Sequence, residues 1–143
     1  MMITEPEPPT QLIRTLLVDD SPAFLEALAR LLAHAPQVVV IATAIDGVAA
    51  LQAVALRAPD LVIIDVAMPG MSGIEVTHRI KQVPHAPRII VITISTDAAY
   101  AVAAQQAGAD GFLTKGDCRT QLVPLIRSLF PPPAPYGGGA MHG

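Results

Sequence analysis

Five times along this chain, a short apolar run is followed by a stretch with helical periodicity. The runs lie at residues 12–18, 38–42, 61–64 and 89–94, and a shorter segment, 111–114, is a candidate fifth strand. The clearest of them are rich in Val and Ile and have no polar alternate face, as expected for parallel strands that are buried on both sides. The alternation predicts a three-layer α/β sandwich with right-handed crossovers.

The intervening stretches carry helix-start and helix-stop signals. Ser21 is a candidate N-cap for the first helix, and Asp97 is a candidate N-cap for a helix over 98–107. The fifth helix is predicted over 120–130, where Pro124 costs one hydrogen bond unless it lies in the first turn. The first helix has one apolar stripe, formed by Phe24, Leu25, Leu28, Leu31 and Leu32.

Composition limits the classes of function. The chain has 143 residues, of which 52% are hydrophobic and 15% charged, so we expect one folded domain rather than overall disorder. A net charge of -3 provides no basic surface for nucleic acid. The longest largely apolar stretch, 38–45, is too short for a membrane span, no signal peptide is evident, and a single cysteine fits a reducing compartment. We therefore expect a cytoplasmic protein without direct nucleic-acid or membrane binding.

Proline is concentrated near both ends of the chain. The second proline cluster runs into three consecutive glycines, which joins stiff chain to flexible chain. We predict a disordered N-terminal extension over 1–11, a domain over 12–130 and a Pro/Gly-rich tail or linker over 131–143. Ragged ends and a tether to a second domain both fit this pattern.

Polar side chains follow the predicted strands, at the edge where open parallel sheets bind ligands. Asp19 and Asp20 follow the first strand, Asp65 the third and Lys115 the fifth, while Thr93 lies near the end of the fourth. Each residue alone has an ordinary explanation as a cap, a loop residue or a solvated charge. Together, the carboxylates suit Mg²⁺, an aspartate beside the metal can attack phosphorus, and the lysine and hydroxyl can stabilise phosphate oxygens. The shared edge favours a metal and phosphoryl site.

Four segments resemble the receiver domains of response regulators, the CheY-like phosphoacceptor modules of two-component signalling. They are Leu-Leu-Val-Asp-Asp at 16–20, Leu-Val-Ile-Ile-Asp-Val-Ala-Met-Pro-Gly-Met-Ser-Gly at 61–73, Ile-Val-Ile-Thr at 90–93 and Ala-Gly-Ala-Asp-Gly-Phe-Leu-Thr-Lys at 107–115. The resemblance covers about residues 12–130, with spacing most similar to NarL/LuxR-type regulators. It implies a flavodoxin-like sheet of order 2-1-3-4-5 with five helices.

The resemblance also implies roles for individual residues. Asp65 corresponds to the phosphoacceptor, which takes its phosphoryl group from a histidine kinase. The implied Mg²⁺ ligands are the carboxylates of Asp19, Asp20 and Asp65 and the backbone carbonyl of Ala67. Lys115 corresponds to the lysine that pairs with the phosphate.

A switch to an output state is implied as well, with Thr93 as the switch hydroxyl and Phe112 as the rotating aromatic. The uncharged helix over 98–107 is a candidate face for a partner or a second copy of the chain, although its alanines also suit helix propensity and close packing. Ala67, Phe112 and Gly116 replace residues that are often Asn, Tyr and Pro in the family. None of these departures removes an essential group.

Other functions remain as alternatives. An Asp-nucleophile phosphatase typically needs a second acid two residues after the nucleophile, and Ala67 stands there. A flavin carrier needs a phosphate loop after the first strand and aromatic rings, and this chain has no Trp and two Tyr. A P-loop motif is absent. The favoured interpretation is a phosphoacceptor without enzymatic turnover beyond its own phosphorylation and slow dephosphorylation, either transcriptional through an output domain or acting alone through protein contacts.

Overall fold

The computed structural model describes residues 11–132 and shows a five-stranded parallel sheet between two helical layers. The strands are β1 (Ile13–Val18), β2 (Val38–Ala44), β3 (Leu61–Asp65), β4 (Arg88–Thr93) and β5 (Gly111–Thr114). The helices are α1 (Pro22–Leu32), α2 (Gly47–Arg57), α3 (Gly73–Ile80), α4 (Ala98–Gln106) and α5 (Cys118–Leu129). The strand order β2-β1-β3-β4-β5 confirms the predicted fold class.

Two apolar cores lie on opposite faces of the sheet. Alternate residues of the central strands point to opposite faces, so Leu17 and Ile63 join one core while Leu16 and Val62 join the other. Helices α1 and α5 cover the first face, and α2, α3 and α4 cover the second. This two-sided burial explains why the central strands have no polar face.

Strand β2 departs from the prediction of burial on both sides. It lies at the edge of the sheet, and most of its residues are half-buried or exposed. Its register with β1 shifts by one residue, because Thr15 pairs with Val40 and Leu16 pairs with Ala42. Ile41 between them has no partner in β1, which is the geometry of a β-bulge.

The N-caps of α1 and α4 are confirmed, whereas the predicted start of α5 is wrong. The Ser21 side chain accepts a hydrogen bond from the Phe24 amide, and Asp97 accepts one from Ala99. Helix α5 begins at Cys118, because a 3-10 turn over Lys115–Asp117 leads directly into it. Pro124 therefore lies inside the helix, beyond the first turn, and removes one backbone hydrogen bond.

The predictions for the two ends concern residues that lie almost entirely outside the described range. Only residues 11, 131 and 132 of the proposed flanking segments fall within it. The boundaries at 12 and 130 stay predictions. Among residues 11–132, no helix combines the length and apolarity needed to cross a bilayer.

Candidate functional site

Three carboxylates meet at the carboxyl end of the sheet. β1 and β3 are neighbours in the sheet, so Asp19 and Asp20, which follow β1, lie beside Asp65, the last residue of β3. One carboxylate oxygen from each aspartate lies within 4.8 Å of the other two. Asp19 and Asp65 are buried, while Asp20 is exposed. The sequence prediction that strand ends bring these acids together is confirmed by their positions.

The Asp19 side chain is held at only one of its two oxygens by a directed hydrogen bond. Its Oδ1 accepts from the Ser21 backbone amide at 2.8 Å. Its Oδ2 is fully buried, has no hydrogen-bond partner by geometry and forms an ion pair with Lys115 Nζ at 2.8 Å. Burial of an anionic oxygen is costly, and Lys115 is shared with Asp65, so a second cation beside this atom would stabilise it further.

Lys115 is the positive group of the site. Its Nζ lies 3.4 Å from Asp65 Oδ2 in addition to the Asp19 contact, and 4.1 Å from the centre of the Phe24 ring. Burial lowers the pKa of Lys115, but its two carboxylate partners outweigh burial and raise that pKa above its usual value. Burial, and next the charge of Asp19, raise the pKa of Asp65, against the opposing effects of Lys115 and the Ala67 amide.

The site therefore contains three carboxylates and one ammonium group. The excess negative charge, the hard oxygen donors and the undonated Asp19 Oδ2 fit a divalent cation such as Mg²⁺. Asp19, Asp20 and Asp65 are the side chains that could hold it. Ala67, whose backbone carbonyl is the fourth implied ligand, is exposed and lies two residues beyond Asp65.

Thr93 lies on β4, which pairs with β3, and Phe112 lies on β5, the edge strand beyond β4. Thr93 ends β4 and is buried, and its Oγ1 accepts a hydrogen bond from the Ser95 amide at 3.1 Å. Phe112 lies in β5, is half-buried and packs against the core beneath α2, α3 and α4. Phe112 also lines an open groove of about 290 Å³, together with Ala101, Gln105, Ala109, Asp110 and Gly111.

The loop from β3 to α3 packs directly against the Asp65 backbone. Gly73 is the first residue of α3, and its amide donates to the Val66 carbonyl at 2.9 Å. A Cβ at position 73 would overlap the Asp65 carbonyl oxygen. In the sequence, Gly73 stands only as the last residue of the segment 61–73. Its role in close packing depends on a contact that local pattern does not reveal.

Sequence reasoning also missed two contacts of the charged cluster. Ser21 was recognised as a cap, but not as the backbone donor to Asp19. Phe24 was assigned only to the apolar stripe, although its ring also lies against the Lys115 ammonium. The available signal was its place in the first turn of α1, because side chains there lean back toward the preceding strand end.

Comparison with known proteins agrees with this architecture. The family model for the response regulator receiver domain matches residues 15–127. The probable transcriptional regulatory protein NarL of Mycobacterium tuberculosis is 33% identical over 124 residues, which are 87% of this chain and 56% of the relative. The chain thus spans about half the length of the curated relatives it matches.

Solved structures give the same result. The signal receiver domain of M. tuberculosis NarL superposes with a TM-score of 0.78 at 33% identity, covering 83% of this chain and 96% of that one. A LuxR-family two-component response regulator from Aurantimonas sp. SI85-9A1 gives a TM-score of 0.79 at 36% identity, covering 83% and 85%. The chain therefore belongs to the response regulator receiver domain family.

Proposed function

We propose that this receiver domain accepts a phosphoryl group from a histidine kinase on Asp65, with Mg²⁺ held by Asp19, Asp20, Asp65 and the Ala67 carbonyl. The observation that carries the proposal is the charge imbalance at the carboxyl end of the sheet. Asp19 Oδ2 is buried without a directed donor, and Lys115 is the one cation paired with both Asp19 and Asp65 among the described residues. The site can therefore bind a metal cation, and the bound cation can then attract the anionic oxygens of a phosphoryl group.

In the proposed step, an Asp65 carboxylate oxygen forms a bond to phosphorus while the bond from phosphorus to the kinase histidine nitrogen breaks. The electron pair of that bond stays on the imidazole, so atoms and charge balance. Mg²⁺, when bound, neutralises charge on the transferring phosphoryl oxygens. Lys115 pairs with one phosphoryl oxygen, and the Thr93 hydroxyl donates to another.

The same step supplies a switch. Thr93 Oγ1 now accepts from the Ser95 amide, and its movement toward a phosphoryl group on Asp65 breaks that contact. Phe112 lies on the neighbouring strand beside an open groove, which leaves room for its ring to change position. A small local shift can change a distant surface when a packed element has two alternative arrangements.

We propose residues 98–107, which form α4 and its C-cap Ala107, as the surface that responds to the switch. Ala104 and Ala107 are buried in this segment, whereas Tyr100 and Val102 are exposed. An uncharged surface of this kind suits an output partner or a second copy of the chain. Because NarL is named a transcriptional regulator, we propose a cytoplasmic role in transcription through an output domain, with a receiver acting alone as the alternative.

A phosphoacceptor fits this site better than an Asp-nucleophile phosphatase. Phosphatases of that kind rely on a second acid two residues after the nucleophile to protonate the leaving group. Ala67 has no such group. We therefore propose transfer to Asp65 and slow loss of the phosphoryl group, without turnover of external phosphoesters.

Intact-mass spectrometry after incubation with Mg²⁺ and acetyl phosphate tests the proposal. The wild-type chain should gain one phosphoryl group, and Asp65→Asn should gain none, because an amide does not form the acyl phosphate. Asp60→Asn is a matched control, since Asp60 precedes β3 at the opposite end of the sheet. Labelling of Asp65→Asn at the wild-type level would contradict the assignment.

A further inference from the structure

We infer that Phe24 is a positioning residue for Lys115, whose ammonium its ring holds in reach of the phosphorylation site. This inference rests on the function proposed above. The Lys115 Nζ lies 4.1 Å from the centre of the Phe24 ring, within the range in which an aromatic face attracts a cation. The Lys115 side chain is 17% exposed, so little water competes with this contact.

A continuous series of contacts connects the Phe24 ring to the acidic cluster. The Ser21 amide donates to Asp19 Oδ1 at 2.8 Å, and the Phe24 amide donates to Ser21 Oγ at 3.2 Å. The Phe24 ring faces the Lys115 ammonium, which returns to Asp19 Oδ2 at 2.8 Å. The N-terminal turn of α1 therefore orients Asp19 through its backbone and Lys115 through an aromatic side chain.

This contact matters because Lys115 must change partners. Before phosphorylation its ammonium pairs with Asp19 and Asp65, and in the proposed step it pairs with a phosphoryl oxygen. A lysine has a flexible stem, so an ammonium released from its carboxylates samples many positions. An aromatic face attracts the cation without a directed hydrogen bond, so it restrains Lys115 through the exchange without competing for its donors.

An ordinary core role for Phe24 is the competing explanation. Its ring packs against the core beneath α1 and α5, and so does the ring of Phe130 at the end of α5. Phe130→Leu is therefore a matched control, because it removes a half-buried ring from the same core at the C-terminal end of α5, away from Lys115. Phe24→Leu removes the aromatic face and keeps an apolar side chain, and Phe24→Tyr keeps the aromatic face.

The contact itself can be measured in the metal-free protein by NMR. The chain has two lysines, Lys81 and Lys115, so protein labelled with ¹³C at the lysine ε-carbon gives two ε-methylene signals. Ring current from Phe24 should shift the Lys115 protons, with cross-peaks to the ring, while Lys81 serves as the internal reference. Phe24→Leu should abolish the shift, and Phe24→Tyr and Phe130→Leu should retain it. Absence of these cross-peaks in the wild-type protein would overturn the inference even if Phe24→Leu fails to fold.

Phosphorylation rates then test the functional consequence. With Mg²⁺ and acetyl phosphate, Phe24→Leu should be phosphorylated on Asp65 about three- to tenfold more slowly than wild type, a range set by the usual strength of a cation–aromatic contact. Phe24→Tyr should restore the rate, and Phe130→Leu should not lower it. An unchanged rate in Phe24→Leu, or an equal loss in Phe130→Leu, would overturn the positioning role while leaving Asp65 as phosphoacceptor. Labelling of Asp65→Asn would instead overturn the proposed function, independently of the NMR result.

Discussion

The two lysines of this chain each pair with aspartate, at opposite ends of the same sheet, and the two clusters are built differently. At the amino end, Asp110 accepts from Lys81 Nζ at 2.9 Å, from Arg88 Nη1 at 3.3 Å and from the Ile89 amide at 2.8 Å. Two cations and a backbone amide thus surround one carboxylate. At the carboxyl end, Lys115 pairs with two of three clustered carboxylates, and one buried oxygen has no hydrogen-bond partner.

The difference separates a structural ion pair from a binding site. The Asp110 carboxylate is satisfied by groups of its own chain, so it ties the starts of β4 and β5 to the end of α3 and needs no ligand. The carboxyl-end cluster is incomplete in charge and in hydrogen bonding. An incomplete cluster lowers the stability of the fold, and a bound cation restores part of that stability.

The largest expected effect comes from breaking the support of the carboxyl-end cluster. Gly73→Ala places a Cβ against the Asp65 carbonyl, so backbone must move, and we expect the free energy of unfolding to fall by about 3 kcal/mol. Mg²⁺ affinity should fall with it, because Asp65 shifts. Urea unfolding and metal titration measure the two effects.

Gly70→Ala is the matched control in the same loop. A Cβ at position 70 meets nothing within 4 Å, but Gly70 has φ +78, so we expect a smaller loss of about 1 kcal/mol from backbone strain. Equal losses in the two variants would mean that the close packing of Gly73 is unimportant.

Breaking the amino-end cluster should have the next largest effect. Asp110→Asn removes the charge that pairs with Lys81 and Arg88 and weakens the acceptor of the Ile89 amide, so we expect a loss of about 2 kcal/mol in urea unfolding. Phosphorylation of Asp65 should not change.

The exposed pair between Glu75 and Arg79 provides the reference for that loss. It is an i, i+4 contact with both side chains about half exposed, so Glu75→Gln should cost less than about 0.5 kcal/mol. If Asp110→Asn costs no more than Glu75→Gln, the amino-end cluster is not a structural tie.

The pH dependence of stability tests the burial of Cys118, the first residue of α5, near the carboxyl end of the sheet. Burial raises the pKa of this thiol to about 11, although Lys115 opposes the shift. Between pH 9 and 11 the unfolded chain loses the thiol proton and the folded chain keeps it, so stability should fall by about 1–2 kcal/mol as pH rises through this window. The fall begins near pH 8, where the unfolded thiol starts to lose its proton, and below about pH 7 the thiol contributes no pH dependence.

Urea unfolding of wild type and Cys118→Ala at several pH values isolates this contribution from the titration of other groups. The difference between the two proteins should change as pH rises from about 8 to 11 and stay constant below about pH 7. A constant difference over the whole range would show that the thiol is not desolvated as the structure indicates.

The smallest expected effect has the opposite sign. Asp20→Ala removes one of three repelling carboxylates, so in EDTA the protein should gain stability, by less than about 1 kcal/mol since Asp20 is exposed. The same variant should weaken Mg²⁺ binding and phosphorylation together. A loss of stability in EDTA would indicate a capping role for Asp20 and would remove the contrast between the two ends.

Much of the fold could be predicted from local pattern. The N-caps at Ser21 and Asp97 followed from side chains that compete for the first amides of a helix, and β5 was predicted at its observed bounds. The start of α5 could not be predicted in this way, because the Thr114 side chain begins a turn that runs into the helix ahead of Pro124. Similarly, the sequence of β2 predicts a buried strand, but its position at the edge depends on the order of the other strands in the sheet.

The sequence by itself determined the alternation of strands and helices and brought Asp19, Asp20, Asp65 and Lys115 to one end of the sheet. Hydrophobic periodicity reports which faces are buried, and parallel strands necessarily end on the same side. Only the tertiary structure decided that Asp19 Oδ2 lacks a directed donor and that Lys115 lies against Phe24. These features depend on distances of a few ångströms between side chains from α1, the end of β1 and the turn after β5, and packing of the two cores sets those distances.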